Sequence, residues 1–260
     1  MSKTKIDWAD KVWNPVTGCT KVSSGCKNCY AERVAKRFWR DGIIGDNYRP
    51  FSEVRCHTER LEQPLHWNKP ARIFVDSMGD LFHKDVPNTF ISQVFWIMEM
   101  APMHTFMILT KRPKRMLEWV NQDYQNPLPN VWLGVSAEDQ KTADEKIPIL
   151  LEMPAVVRFV SVEPMLGKID IWQYLGGNRN PIGEIFNNKG LDWIICGCES
   201  GPGARPMKMS WAADLKHQCV FASVPFFFKQ AMIEGKLVKM PKLDGKIWDE
   251  MPGIIAVKQA

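Results

Sequence analysis

The sequence predicts an α/β protein of parallel strands, and three observations predict it. Apolar runs alternate with helical runs along the chain, so that strand follows helix follows strand. The strand runs, such as 72–76 (RIFVD) and 191–196 (LDWIIC), are continuously apolar, as in strands buried on both faces. Each run also ends in charged or hydrogen-bonding residues at its carboxyl end, where α/β barrels build their sites. Six or seven βα units follow, as a partial or full TIM-like barrel or an open doubly wound sheet.

Residues 6–13 (IDWADKVW) read as the first strand, leading into a cysteine loop. From Tyr30 to Trp39 the apolar spacing is that of a short amphipathic helix. Residues 40–70 carry Pro50, Pro64 and Pro70 among charges, and read as loops with short helical pieces. The strand at 72–76 precedes a helix at 90–100, capped by Asn88 or Thr89 after Pro87. A strand at 104–110, a helix at 114–120 and a strand at 130–136 come next. A helix at 139–151 is expected to break near Pro148. Then come a strand at 156–162, an irregular stretch at 164–189, a strand at 191–196, a helix at 211–221 and a last strand at 225–228. The basic tail after Gln230 reads as a hairpin. The expected organisation is therefore a barrel with its cysteine loop over 1–230, and a hairpin-like extension over 231–260 packed on the same domain.

Composition sets outer bounds. Hydrophobic residues make up 45% of the 260, enough for a sizeable core. A net charge of +5 permits a nucleic-acid partner without arguing for one. Seven cysteines, an odd number, and no secretory leader lead to the expectation of a reducing cytoplasm. No apolar run approaches the ~20 residues of a membrane span, so no membrane partner is expected.

The chemistry concentrates in residues 13–33, WNPVTGCTKVSSGCKNCYAER, where Cys19, Cys26 and Cys29 stand in a C-x6-C-x2-C spacing. Glycine, serine and proline surround them, so the thiols sit on an irregular loop rather than at periodic core positions. Zinc needs a fourth protein ligand, for which Cys56 and His57 are the nearest candidates. A 4Fe–4S cluster on three thiolates leaves one iron open, as radical S-adenosylmethionine (SAM) enzymes do. A disulfide is the remaining alternative. If a cluster sits here, the three sulfurs face a common centre, with Cys56 and His57 away from it.

The strand ends supply the other candidates: Asp76 to Asp80, Lys111 with Arg112, Ser136 to Glu138, Glu163, Glu199 with Ser200, and Lys229. Together they are expected to line one mouth, their charges partly paired because unpaired burial is costly. Lys111 and Arg112 suit a carboxylate or phosphate, or a salt bridge to Glu138 or Glu163. His83 is either a ligand or a packing and capping residue. The acidic ends also permit a divalent-metal phosphoesterase, which leaves the cysteine loop without a task.

The runs WNPVTGC, GCKNCYAER, FVDSMGDLFH, LTKRP, NVWLGVSAED, FVSVEP, GCESGPGARPM and PFFFKQ resemble a phage-associated family of uncharacterised radical-SAM-like proteins with an N-terminal three-cysteine motif. The resemblance runs from Trp13 to about Pro252. It implies a TIM-like barrel of the radical SAM type, with Cys19, Cys26 and Cys29 as ligands of a 4Fe–4S cluster. It further implies SAM as cofactor, with Met78, Gly79, Asp80, Ser136, Glu199, Ser200 and Tyr30 as its contacts. Lys111, Glu138, Glu163 and Lys229 are the expected catalytic groups. The cluster would cleave SAM reductively to a 5′-deoxyadenosyl radical that attacks an unknown substrate, a nucleotide or nucleic acid being the favoured class. An electron donor and an operon-encoded partner protein are the expected partners. The alternative is a non-catalytic zinc- or iron–sulfur-binding phage or defence protein. Two departures stand out. The usual radical SAM loop is C-x3-C-x2-C with an aromatic residue before the third cysteine, where this chain has Asn28 and places Tyr30 beyond Cys29. Cys198 stands where the resembling sequences more often have a second glycine.

Overall fold

In the computed structural model, residues 4, 6–39, 49–124, 126–175 and 190–253 are described. The fold is mixed α/β with mostly parallel strands, in two compact units, Met1–Trp132 and Leu133–Ala260.

The N-terminal unit begins with β1 (Lys11–Trp13) and β2 (Val16–Thr17), then α1 (Tyr30–Phe38) and β3 (Arg55–Cys56). It continues through β4 (Arg72–Val75), α2 (Asn88–Met100), β5 (Thr105–Thr110) and α3 (Pro113–Asp123). β4 lies between β1 and β5, parallel to both, with Trp13 opposite Val75 and Val75 opposite Ile108. The first strand is shorter than the expected 6–13. Residues 6–9 close a turn, Ala9 N–H donating to Ile6 O, and Asp10 grips Arg72 through both carboxylate oxygens. The apolar residues still do what their pattern demands: Trp8, Trp13, Phe82 and Phe106 are fully buried. Within 40–70, β3 pairs antiparallel with β2, a two-residue ladder too short to leave a periodic signal; residues 40–48 lie outside the described part.

The C-terminal unit takes up β6 (Val131–Ser136), which starts at the boundary, then α4 (Gln140–Glu152), β7 (Arg158–Val162) and β8 (Trp193–Gly197). α5 (Met209–Phe221), β9 (Phe226–Ile233) and β10 (Lys236–Lys239) complete it. β6, β7, β8 and β9 run parallel in that order, and β10 folds back antiparallel on β9. Every residue of β6 and β8 is buried, which is why their sequences lack alternation. α4 is not broken at Pro148; the proline sits inside the helix, whose start is fixed by a capping box between Asp139 and Thr142. The last strand extends past 228 because Glu234 and Gly235, both at positive φ, turn the chain into β10. The chain after β10 returns to β9, Phe228 N–H donating to Trp248 O at 2.7 Å. In the irregular stretch, a short 3-10 turn at Trp172–Tyr174 is described and residues 176–189 are not. Among the described residues no helix is long and apolar enough to cross a membrane.

Candidate metal centre

Each residue from Trp13 to Gly18 has a definite part in placing Cys19. Trp13 is buried and donates from Nε1 to Arg60 O at 2.8 Å. Asn14 Oδ1 accepts from Met78 N at 3.0 Å and Ser77 Oγ at 3.1 Å, tying the loop to the turn after β4. Pro15 O accepts from His57 N. Val16 N donates to Asp76 Oδ1 at 2.8 Å. Thr17 Oγ1 lies 2.7 Å from His57 Nε2 and accepts from Arg49, whose guanidinium stacks 4.0 Å over Trp39. Gly18, at φ +90, forms a parallel bridge with Gly79. The motif is thus a clamp that docks one loop onto another.

Cys19, Cys26 and Cys29 are free thiols, each half-buried. All three reach the wall of one cavity of about 1030 Å³, which also meets Lys21, Glu32, Lys36 and Arg49. Glu32 pairs with Lys36 at 2.8 Å and Lys21 at 3.3 Å. Burial pushes the Cys19 thiol up to about 11, Asp80 adding to the rise and Arg112 opposing it. Burial also raises Cys29, against the pull of the Glu32 and Ala31 backbone N–H groups at the start of α1. Among the described residues no three His, Cys, Asp or Glu side chains gather closely enough to hold one metal ion. The three thiols thus share one cavity wall, and the common centre expected of their sulfurs is not seen among the described residues. Of the candidates for a fourth zinc ligand, His57 is engaged, its Nδ1 2.9 Å from Glu59 Oε1 and its Nε2 against Thr17, while Cys56 is a free, half-buried thiol whose backbone pairs in the β2–β3 ladder.

Asp80 and Arg112 form the buried core of this centre. Arg112 Nη1 donates to Asp80 Oδ2 at 2.7 Å and to Cys19 Sγ at 3.4 Å. Its Nη2 donates to Thr20 O at 2.8 Å and to Thr20 Oγ1 at 3.1 Å. Asp80 Oδ1 accepts from Thr110 Oγ1 and Phe82 N, and its Oδ2 from Lys111 N at 3.4 Å. The sequence allowed a salt bridge from Lys111 or Arg112 to Glu138 or Glu163; the partner of Arg112 is Asp80 instead. With both its oxygens engaged, the Asp80 carboxylate braces the loop. His83 is fully buried, its Nε2 2.8 Å from Thr20 Oγ1 while Asp85 N donates to its Nδ1. It packs and caps, as a lone histidine most often does.

Of the other expected SAM contacts in this unit, Met78 O accepts from Gly18 N at 2.9 Å. Tyr30 opens α1 and is 55% exposed.

In the C-terminal unit three strand-end glutamates each carry a cation. Glu138, fully buried, lies 3.2 Å from Lys146 Nζ, which also donates to Ser136 O at 2.8 Å. Glu163 pairs with Lys229 at 2.8 Å and accepts from Ser161 Oγ. Glu199 is gripped by Arg205 through its backbone N–H, Nε and Nη2. Ser200 follows it, half-buried. Within each unit these strand-end charges are paired locally. Lys146 and Arg205 as the partners were missed, because Glu138 precedes the α4 cap and no helical spacing links it to Lys146. Cys198 is buried and its thiol is pushed up to about 11 by burial, then by Glu163. It is a core thiol.

A family model described as "Protein of unknown function (DUF5131)" matches residues 3–252. No curated protein and no solved structure matches the chain.

Proposed function

We propose that this chain, which belongs to the DUF5131 family of proteins of unknown function, is a radical SAM enzyme whose 4Fe–4S cluster is held by Cys19, Cys26 and Cys29. The observation that carries the reading is the shared cavity: three free thiols on one wall, one of them receiving a hydrogen bond from a nearly buried arginine. Such a donor stabilises a thiolate, the form in which cysteine binds metal. When bound, the cluster with SAM supplies one-electron cleavage of SAM and hydrogen abstraction from a substrate.

This chain's own residues do the rest. The Gly18–Gly79 bridge and the Asp80–Arg112 pair hold Cys19 against the cavity. The carbonyls around Met78 and Gly79 are the proposed seat of the SAM amino group, with Tyr30 a further contact in the same unit; Ser136, Glu199 and Ser200 are the candidate contacts that the C-terminal unit offers. Lys111, Glu138, Glu163 and Lys229 are the proposed catalytic groups. Lys21, Lys36 and Arg49 around the cavity favour an anionic substrate, a nucleotide or nucleic acid. In this reading the strands belong to a TIM-like barrel of the radical SAM type, and the protein works in the cytoplasm. A reductant protein and a phage or defence setting complete it. A zinc module draws no support from His57, whose two ring nitrogens are both hydrogen-bonded. The phosphoesterase reading, on Asp76, Asp80, Glu138 and Glu163, leaves the three cysteines without a task.

Anaerobic reconstitution with iron and sulfide tests the proposal. The expected product has visible charge-transfer absorption and, once reduced, a cluster EPR signal that SAM perturbs. Replacing Cys26 by Ala should abolish both. Stoichiometric zinc with no iron uptake, or an unchanged spectrum in Cys26→Ala, would overturn it.

A further inference from the structure

We infer that Arg112 tunes the reduction potential of the cysteine centre through a charged hydrogen bond to Cys19, with Asp80 as the brace that aims it. This rests on the iron–sulfur reading proposed above. The guanidinium is nearly buried, 11% exposed, and its carboxylate partner 6%. One edge reaches Asp80 Oδ2 at 2.7 Å and Cys19 Sγ at 3.4 Å, the other Thr20 O and Oγ1. A planar fork held at both nitrogens cannot swing away from the sulfur, which a flexible lysine ammonium does readily. Asp80 is itself fixed by Thr110, Phe82 and Lys111, so the brace is rigid.

Hydrogen bonds to the sulfurs and nearby charge set the potential of an iron–sulfur cluster. Reduction adds a negative charge, and a cation donating to a ligand sulfur stabilises the reduced state more than the oxidised one. Arg112 therefore raises the midpoint potential. Asp80, a carboxylate close to the same sulfur, lowers it. The two residues belong to one clamp but act with opposite electrostatic sign. Both are positioning residues, and neither needs to touch substrate.

The test is an EPR-monitored redox titration of reconstituted wild type, Arg112→Gln, Arg112→Lys and Asp80→Asn. Arg112→Gln should lower the midpoint, Asp80→Asn should raise it, and Arg112→Lys should lie between wild type and Arg112→Gln. A purely structural clamp predicts shifts of the same sign in Arg112→Gln and Asp80→Asn, because each opens the same pair; that result overturns the inference, as does an unmoved midpoint in Arg112→Gln. If Arg112→Gln fails to fold, Asp80→Asn and Arg112→Lys decide it, and a midpoint that does not rise in Asp80→Asn overturns it. Failure of the underlying reading looks different. Wild type would then take up no iron and sulfide, or keep its spectrum without Cys26, and both proposals fall together.

Discussion

Gly18 and Gly79 face each other across a single parallel bridge, and neither has room for a side chain. A Cβ on Gly18 would sit 2.3 Å from Glu53 O, and one on Gly79 would sit 2.7 Å from Val16 O. Their neighbours in sequence are Cys19 and Asp80, which Arg112 joins. Backbone contact between two glycines thus sets the approach of a candidate ligand to its charged brace.

Replacing Gly79 by Ala should cost about 1–3 kcal/mol from overpacking against a backbone that cannot yield. Gly18→Ala should cost more, by roughly a further 1–2 kcal/mol, because its φ of +90 is hostile to L-residues. Urea denaturation of the metal-free protein measures both. Equal stability of wild type and Gly18→Ala would show that the bridge is not under the constraint described.

Asp76 makes the second prediction. Its Oδ1 accepts from Val16 N, its Oδ2 is buried without a hydrogen-bond partner among the described residues, and burial holds its pKa well above 3.8. An acid whose pKa is raised on folding costs stability once pH exceeds the unfolded value, since the unfolded chain then releases the proton more readily. Asp76→Asn keeps the acceptor and tolerates the residue's φ of +57. It should therefore stabilise the protein at pH 7, with the gain shrinking as pH falls toward 4. Stability curves at a series of pH values check this; a gain independent of pH would contradict the assignment.

The strands were readable because they are buried on both faces, and seven-residue runs such as 104–110 (HTFMILT) show it directly. The cysteine loop was readable from composition, since thiols among glycines and serines are not core residues. What could not be read is partnership. Arg112 faces Asp80, 32 residues away, and Thr17 faces His57, 40 away. No period connects such pairs; only the packed loops do. The Pro148 expectation failed for a related reason. A proline removes one helical hydrogen bond, but the capping box and the burial of Ala143, Ile147 and Leu150 hold α4 together.

Glu138 and Lys146 make the third prediction. Both are buried, and the lysine also satisfies Ser136 O. Lys146→Met would remove the lysine cation from a fully buried carboxylate, at a cost of about 3–5 kcal/mol. Adding Glu138→Leu should recover most of that loss, because an apolar pair of similar volume needs no desolvated charge. A double-mutant cycle by chemical denaturation reads the coupling. A double variant as unstable as Lys146→Met alone would mean that the glutamate is held by something other than this lysine.

His83 gives the last prediction, one of tautomer and pH. Asp85 N–H points at Nδ1, so that nitrogen carries the lone pair and the proton sits on Nε2, which donates to Thr20 Oγ1. The ring is fully buried with the Arg112 guanidinium nearby, and burial first, then Arg112, lowers its pKa from 6.5. A base whose folded pKa is depressed contributes no pH dependence well above the unfolded value. Below about 6.5 the unfolded chain takes up a proton that the folded one refuses, so stability falls with pH until the folded pKa is reached. His104, also buried and lowered, adds a slope of the same sign. His83→Gln retains one donor and one acceptor without a titrating group, so it should flatten part of the loss between pH 7 and 5. His83→Ala instead leaves Thr20 and Asp85 without that partner and opens a cavity, and should cost about 2–4 kcal/mol at pH 7. Nitrogen-15 spectra of the imidazole should show the Nε2–H form at pH 7. An Nδ1–H signal, or an undiminished acid slope in His83→Gln, would mean that the ring is not the fixed donor to the residue beside Cys19.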